Sequence, residues 1–274
     1  MPTLPAFHEL VAASAWQRID FISDLHLQES ERANFVAFAR YLQSTPAEAI
    51  FILGDLFEVW VGDDVLGDSA SFEARCCNAL RACAQKKTIF FIHGNRDFLV
   101  GSACLQASGM QALPDPTVLT VDSTRYLLSH GDALCLADAD YQQFRTQVRT
   151  RAWQQQFLAQ PLPERIAQAR AMRAHSEARK QQNTTWIDLD PNETQRWMQV
   201  AAAQHMVHGH THEGVDHVFA SAANAPKNAA SCTRHVLCDW HADANPSRAQ
   251  VLRLSRQPAP QAGAAALHLQ RLPV

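Results

Sequence analysis

The chain has 274 residues, 47% of them hydrophobic and 19% charged, a profile that supports a sizeable folded core and excludes a disordered or fibrous chain. Its formal net charge of -3 excludes a non-specific nucleic-acid binder, and no stretch approaches the roughly 20 apolar residues of a membrane-spanning helix. The seven cysteines are scattered, odd in number and without a CxxC pair, so burial as small hydrophobes in a reducing cytosol is expected. No basic, apolar leader stands at the N-terminus, which predicts no signal peptide.

In chain order, short apolar runs rich in β-branched and aromatic residues predict strands at 19–22, 49–53, 88–92, 125–128 and 205–207. Between the first three, helical spacing predicts helices at 34–43 and 71–85. Their apolar stripes are Phe35, Phe38, Ala39 and Leu42, then Phe72, Cys76, Ala79, Leu80 and Cys83. This alternation predicts βαβ units and a largely parallel α/β sheet, with later strands adding antiparallel neighbours. Residues 140–183 read differently. Tyr141, Phe144 and Val148 make one helical stripe, Pro161 and Pro163 break it, and an Arg-rich helix starts at Glu164. Eight Lys/Arg stand against three acids there, a local charge of +5, which predicts a helical cap facing anions over residues 139–185. Residues 221–231 read as a polar loop, and 257–274 as a flexible tail beginning in low-complexity sequence.

Five motifs follow the predicted strands: Asp24-Leu-His26, Gly54-Asp55, Gly94-Asn95-Arg96-Asp97, His130-Gly131-Asp132 and Gly209-His210-Thr211-His212. Ligands of α/β sheets bind outside the carboxyl ends of the strands, so loops there can gather residues far apart in sequence. Carboxylate, imidazole and amide without cysteine suit divalent Mn, Fe or Zn rather than a structural thiolate site. The candidates exceed what one ion needs. Two ions about 3.5–4 Å apart, sharing one carboxylate, would use them all and suit in-line phosphoryl transfer. Each motif alone is weak, since Gly-Asp is usually a turn, but the five together are specific.

At this point the sequence resembles the calcineurin-like metallophosphoesterase superfamily. Ser23-Asp24-Leu25-His26-Leu27, Gly54-Asp55-Leu56-Phe57-Glu58, His93-Gly94-Asn95-Arg96-Asp97-Phe98-Leu99 and His130-Gly131-Asp132 resemble, within it, the UDP-2,3-diacylglucosamine pyrophosphatases of lipid A biosynthesis. The resemblance runs from Arg18 to His212, more weakly to Trp240. It implies a four-layer α/β/β/α sandwich, one domain over 1–274, with an inserted helical cap. It implies that Asp24, His26, Asp55 and His212 hold one metal and Asp55, Asn95, His130 and His210 the other, with Asp55 bridging and Mn2+ as the usual ion. The implied reaction splits UDP-2,3-diacylglucosamine into UMP and 2,3-diacylglucosamine 1-phosphate, by attack of a metal-bridging hydroxide on the phosphorus nearest uridine. Asp55, Asn95, Arg96 and His210 would carry the catalysis. Asn95, Arg96, Asp138, Arg173, Ser176 and His210 match substrate-contacting positions. Lys180 and Asn183 exchange the family's usual order of types there. A lipid-linked substrate further implies peripheral association with the cytoplasmic face of the inner membrane, with no nucleic acid and no obligate protein partner.

Arg96 stands where many relatives in the superfamily carry His. Arg holds its proton at ordinary pH but grips phosphate oxygens in pairs, which favours expulsion of a phosphate monoester over an alkoxide that needs protonation. In the cap, Trp153, Phe157, Leu158, Leu162, Ile166 and Met172 are candidate walls of a lipid groove, most of them expected simply to pack the cap onto the sheet. The rival readings are a nucleotidase, a cyclic-nucleotide phosphodiesterase or a protein phosphatase of the same superfamily, and a non-catalytic scaffold.

Overall fold

The computed structural model describes residues 3–182, 187–219, 232–257 and 266–274. The first half runs β1 (His8–Val11), β2 (Arg18–Ile22), α1 (Arg32–Ser44), β3 (Ala49–Leu53), α2 (Phe72–Ala84), β4 (Thr88–Ile92), α3 (Ser102–Ser108), β5 (Gln111–Ala112), β6 (Thr117–Val121) and β7 (Thr124–Ser129). Three helices follow, α4 (Ala139–Val148), α5 (Arg151–Leu158) and α6 (Leu162–Gln182), then α7 (Pro191–Val200). The chain ends in β8 (His205–His208), β9 (Asp216–Phe219), β10 (Cys232–Val236), β11 (Gln250–Gln257) and β12 (Ala266–Pro273).

The apolar runs form the middle of two six-stranded sheets. One has the order β12-β11-β2-β3-β4-β5 and the other β1-β6-β7-β8-β10-β9. Strand β3, Ala-Ile-Phe-Ile-Leu, is buried at every residue, as a central parallel strand covered on both faces must be. It pairs in parallel with β2 and β4, in the register Phe21, Phe51 and Phe90. Alternate side chains then serve different layers. Ile50 and Ile52 face α1, α2, α3 and the cap, whereas Ala49, Phe51 and Leu53 join Leu119, Tyr126 and Val207 of the second sheet in the core between the sheets. A third cluster packs Trp197 and Met198 of α7 on the outer face of the second sheet. The layers are therefore α/β/β/α, as the family resemblance implies.

Three sequence expectations need correction. Residues 266–273, expected in a flexible tail, form β12, antiparallel to β11 along eight residues. The alternation of exposed and half-buried positions in Ala266–Pro273, with Leu267 and Leu269 against the inter-sheet core, is a strand pattern that the neighbouring low-complexity sequence obscured. The first cap stripe ends at Val148, because Thr150 caps a separate helix, α5, by accepting from Trp153 N–H. Among the described residues, four of the cap's cations are used internally: Arg145 and Arg149 face Asp132, Arg165 pairs with Asp64 and Arg173 with Glu58. As expected for most of the cap's large apolar residues, Trp153, Phe157, Leu162, Ile166 and Met172 pack on the core, while Leu158 is exposed. The cysteines are unpaired and all but Cys232 are buried. The loop predicted at 221–231 lies outside the described residues. Among the described residues no helix is long and apolar enough to cross a membrane.

Candidate metal centre

All five motifs leave the carboxyl ends of strands: Asp24 and His26 follow β2, Asp55 follows β3, Asn95 follows β4, His130 follows β7, and His210 and His212 follow β8. The first sheet thus supplies four of these side chains and the second sheet three. The backbone turns sharply to deliver them. Asp24, His26, Asp55, His210 and His212 all have positive φ, between 49° and 68°, a region that non-glycine residues seldom occupy and that concentrates at functional sites. Two glycines let loops approach where a side chain cannot fit. A Cβ on Gly94 would overlap the Asp55 carboxylate, and one on Gly209 would overlap that of Asp24.

The side chains meet in a continuous cluster. His212 Nε2 lies 3.1 Å from Asp24 Oδ1, and His26 Nε2 lies 4.0 Å from the same oxygen. His130 Nε2 is 3.7 Å from Asp55 Oδ1. His130 Nε2 and His210 Nδ1 each lie 2.9 Å from Asn95 Oδ1. Backbone N–H of His210 and the Ser23 hydroxyl donate to Asp24 Oδ2. Ligand atoms of Asp24, His26 and His212 lie within 4.8 Å of one another, as do those of Asp24, Asp55 and His130. The carboxylate common to these groups is Asp24, while Asp55, the bridge implied by the resemblance, lies in the second group.

The donor set fits divalent cations. His130 Nδ1 is 2.9 Å from the Leu53 carbonyl, which can only accept, so Nδ1 donates and Nε2 turns toward the oxygens of Asn95 and Asp55. Acceptors gathered this closely need a proton or a cation among them. Burial opposes charge on His130, yet Asp55 and then Asp24 raise its pKa. His26 makes the same point: both ring nitrogens are buried without a completed hydrogen bond. Burial would raise the Asp24 carboxyl, but His212 outweighs it and holds it far below the usual range. Burial likewise opposes the charge of His212, which Asp24 and Asp239 lift to about 10. His210 is pulled down to about 4, by burial and then by His130.

Several residues outside the sequence's site list hold the cluster. Asp97 accepts from Leu56 N–H at 2.7 Å and Gly94 N–H at 2.8 Å, tying the β3 and β4 loops together. Burial, then the charge of Asp55, raises its carboxyl to about 7. Asp132 accepts from Tyr141 Oη at 2.6 Å and Arg145 Nε at 2.8 Å, and the Tyr141 ring stacks on His210 at 5.9 Å. Arg149 donates to the Gly94 carbonyl. Asp239 lies 3.5 Å from His212 Nδ1. Glu58 faces His26, Arg96 and Arg173. Asp97, Asp132 and Glu58 were visible as the last letters of their motifs, and Tyr141 as part of a stripe. Asp239 carried no local signal.

The proposed substrate contacts are placed unevenly. Arg96 Nε lies 3.4 Å from Asp55 Oδ2, beside the cluster. Arg173 reaches the same region through Glu58, and Asp138 caps α4 by accepting from Tyr141 N–H. Ser176 and Lys180 fall on α6. Their side chains lie outside what is described, and so does Asn183 altogether.

The family model of calcineurin-like phosphoesterases matches residues 17–214. A curated relative from Aromatoleum aromaticum, named UDP-2,3-diacylglucosamine hydrolase, is 40% identical over 228 residues, 82% of this chain and 89% of that protein. One of the same name from Xanthomonas campestris is 40% identical over 81% of this chain and 90% of that protein. Another from Bordetella pertussis is 39% identical over 85% of this chain and 90% of that protein. With an α/β/β/α fold, loop-borne Asp, His and Asn gathered at its strand ends and these matches, the chain belongs to the calcineurin-like phosphoesterase family, in the company of relatives named UDP-2,3-diacylglucosamine hydrolase.

Proposed function

We propose that the chain hydrolyses the pyrophosphate bond of UDP-2,3-diacylglucosamine, giving UMP and 2,3-diacylglucosamine 1-phosphate. The observation that carries this reading is the convergence of five loops on Asp24 and its neighbours, in a chain 40% identical to relatives named for that hydrolysis. Asp24, His26, Asp55 and His212 would hold one divalent ion, and Asp55, Asn95, His130 and His210 a second, with Mn2+ the ion we assign. When bound, such a pair supplies an acidified water and neutralises charge on the phosphoryl oxygens.

The protein's own groups do the remaining work. Arg96 stays cationic and presents paired N–H donors, so it holds phosphate oxygens and offsets charge as the anhydride breaks. The departing sugar 1-phosphate is stable as an anion and needs little protonation, so an arginine serves where an alkoxide would require an acid. His210, depressed to about 4, enters as a neutral imidazole. Asp138, Arg173, Ser176, Lys180 and Asn183 extend the contacts toward the cap, which we take to be residues 139–185. Phe144 and Leu158 are exposed there, as are Arg151 and Arg170. We assign this basic and apolar surface to the cytoplasmic face of the inner membrane, where the acylated substrate resides.

The test is turnover of UDP-2,3-diacylglucosamine with Mn2+ in heavy-oxygen water. Label is expected in UMP. Label in the sugar phosphate would move the attack to the other phosphorus. Failure on this substrate, with hydrolysis of simple nucleotides or a chromogenic phosphodiester, would replace the reading by a nucleotidase or cyclic-nucleotide phosphodiesterase.

A further inference from the structure

Glu58 lies three residues beyond Asp55, on the loop that follows β3. Its backbone N–H donates to the Leu27 carbonyl at 3.1 Å, fixing it beside the β2 loop. Its side chain is only 16% exposed and stands among three basic groups. Oε2 lies 3.1 Å from His26 Nδ1. Oε1 lies 3.3 Å from Arg96 Nη1 and 2.5 Å from Arg173 Nη2. Arg173 Nη1 also donates to the Glu58 carbonyl at 3.2 Å. A single carboxylate therefore touches a candidate metal ligand, an arginine of the catalytic loop and an arginine of α6.

We propose that Glu58 is a positioning residue that couples occupancy of the metal site to the docking of α6. The inference rests on the metal-site reading above. The chemistry runs through the imidazole. An ion on His26 Nε2 would make the Nδ1–H a stronger donor and draw it into line with Glu58, since a carboxylate behind a ligating histidine fixes the ring and raises its basicity. The short Nδ1–Oε2 contact is not aligned as a hydrogen bond, so a small ring rotation completes it. With Oε2 fixed in this way, Oε1 holds Arg96 and Arg173 by charge-assisted bonds. Arg173 is borne by α6, the longest helix described, so α6 and the ion feel one another through Glu58. Truncating such a carboxylate lowers metal affinity by about 10–100-fold in other sites.

The experiment compares full-length wild type with Glu58→Gln, which keeps the shape and removes the charge. Mn2+ affinity is read from the signal of free Mn2+, and backbone amide exchange along α6 is followed with and without Mn2+. In wild type, Mn2+ is expected to slow exchange in α6. In Glu58→Gln, affinity is expected to fall at least about 10-fold, and saturating Mn2+ is expected to leave α6 exchange unchanged. A merely structural residue would alter exchange equally with and without the ion. Equal Mn2+ affinity and equal Mn2+-dependent protection in Glu58→Gln would overturn the coupling alone. Failure of wild type to take up Mn2+ would overturn both the metal-site reading and the coupling. If Glu58→Gln does not fold, Arg173→Ala cuts the link from the cap side and is expected to lose the Mn2+ effect on α6. Retention of that effect would overturn the proposal.

Discussion

Five non-glycine residues of the cluster sit in the left-handed region, each at a cost of roughly 1–3 kcal/mol. That strain persists because buried neighbours fix each loop, Asp97 among them. Gly94 is the tightest of these supports, because any side chain there meets the Asp55 carboxylate and backbone. Gly94→Ala is therefore expected to push Asp55 away from His130. Mn2+ uptake and turnover should drop by about 100-fold or more, the order of loss seen when reacting groups are misplaced by about 1 Å, with only a modest fall in melting temperature. Titration of the variant with Mn2+ alongside a thermal melt checks this, and near-normal uptake would refute it. At this scale the sequence was informative where chemistry forces a residue type. Asp24, His26, Asp55, Asn95, His130, His210 and His212 stand in recognisable motifs, and the structure gathers all seven into one cluster. The left-handed backbone was not readable, because φ at Asp or His is set by surrounding contacts rather than by the residue. Asp239 was invisible for a related reason: its partner, His212, is far away along the chain.

Among the elements, α6 shows how the cap is fastened. Arg165 is 2% exposed and donates to the carbonyls of Gln160 and Val61 and to both oxygens of Asp64. Asp64 is 55% exposed, so it rehydrates readily when the pair is broken. Arg165→Met keeps the apolar stem but removes the anchoring bonds. It is expected to cost about 1–3 kcal/mol, leave two carbonyls poorly paired and speed amide exchange through the start of α6. Exchange in the α6 of this variant matching wild type would argue against the anchor. The same scale shows which elements can be read in advance. Five buried strands were legible because continuous apolar runs have few other uses. Strands β1 and β9 are edges with exposed positions and little periodic signal. Strand β12 owes its place to pairing with β11 rather than to its own composition. The split between α4 and α5 turned on one cap, Thr150, easily missed inside a polar helical stretch.

At the scale of the whole molecule, two histidines that the fold keeps neutral contribute to acid sensitivity. His205 Nδ1 lies 3.1 Å from His235 Nε2, and His235 Nδ1 lies 3.0 Å from Asp216 Oδ1. Arg271 of β12 pairs with the same Asp216, so the row ties the two sheets together at one edge. Burial and then the neighbouring His235 lower His205 from 6.5 to about 4, and burial also lowers His235. Their folded pKa values lie below the unfolded ones. The stability they contribute is thus complete above about pH 6.5 and declines as the pH falls toward about 4. His205→Gln is expected to flatten the fall in melting temperature between those limits. Parallel melts of wild type and variant measure it, and identical slopes would exclude the role.

The division of the cluster between the two sheets has a consequence for how the protein comes into being. Half-built intermediates, with one sheet formed and the other still loose, hold either Asp24, His26, Asp55 and Asn95 or His130, His210 and His212, so neither completes either of the proposed ligand sets. Complete coordination of either proposed ion would therefore wait for the halves to meet. Once bound, the ions would work as rivets driven through a finished joint, clamping together layers that the chain itself joins by apolar contact and by polar links such as His130 to the Leu53 carbonyl and Arg271 to Asp216.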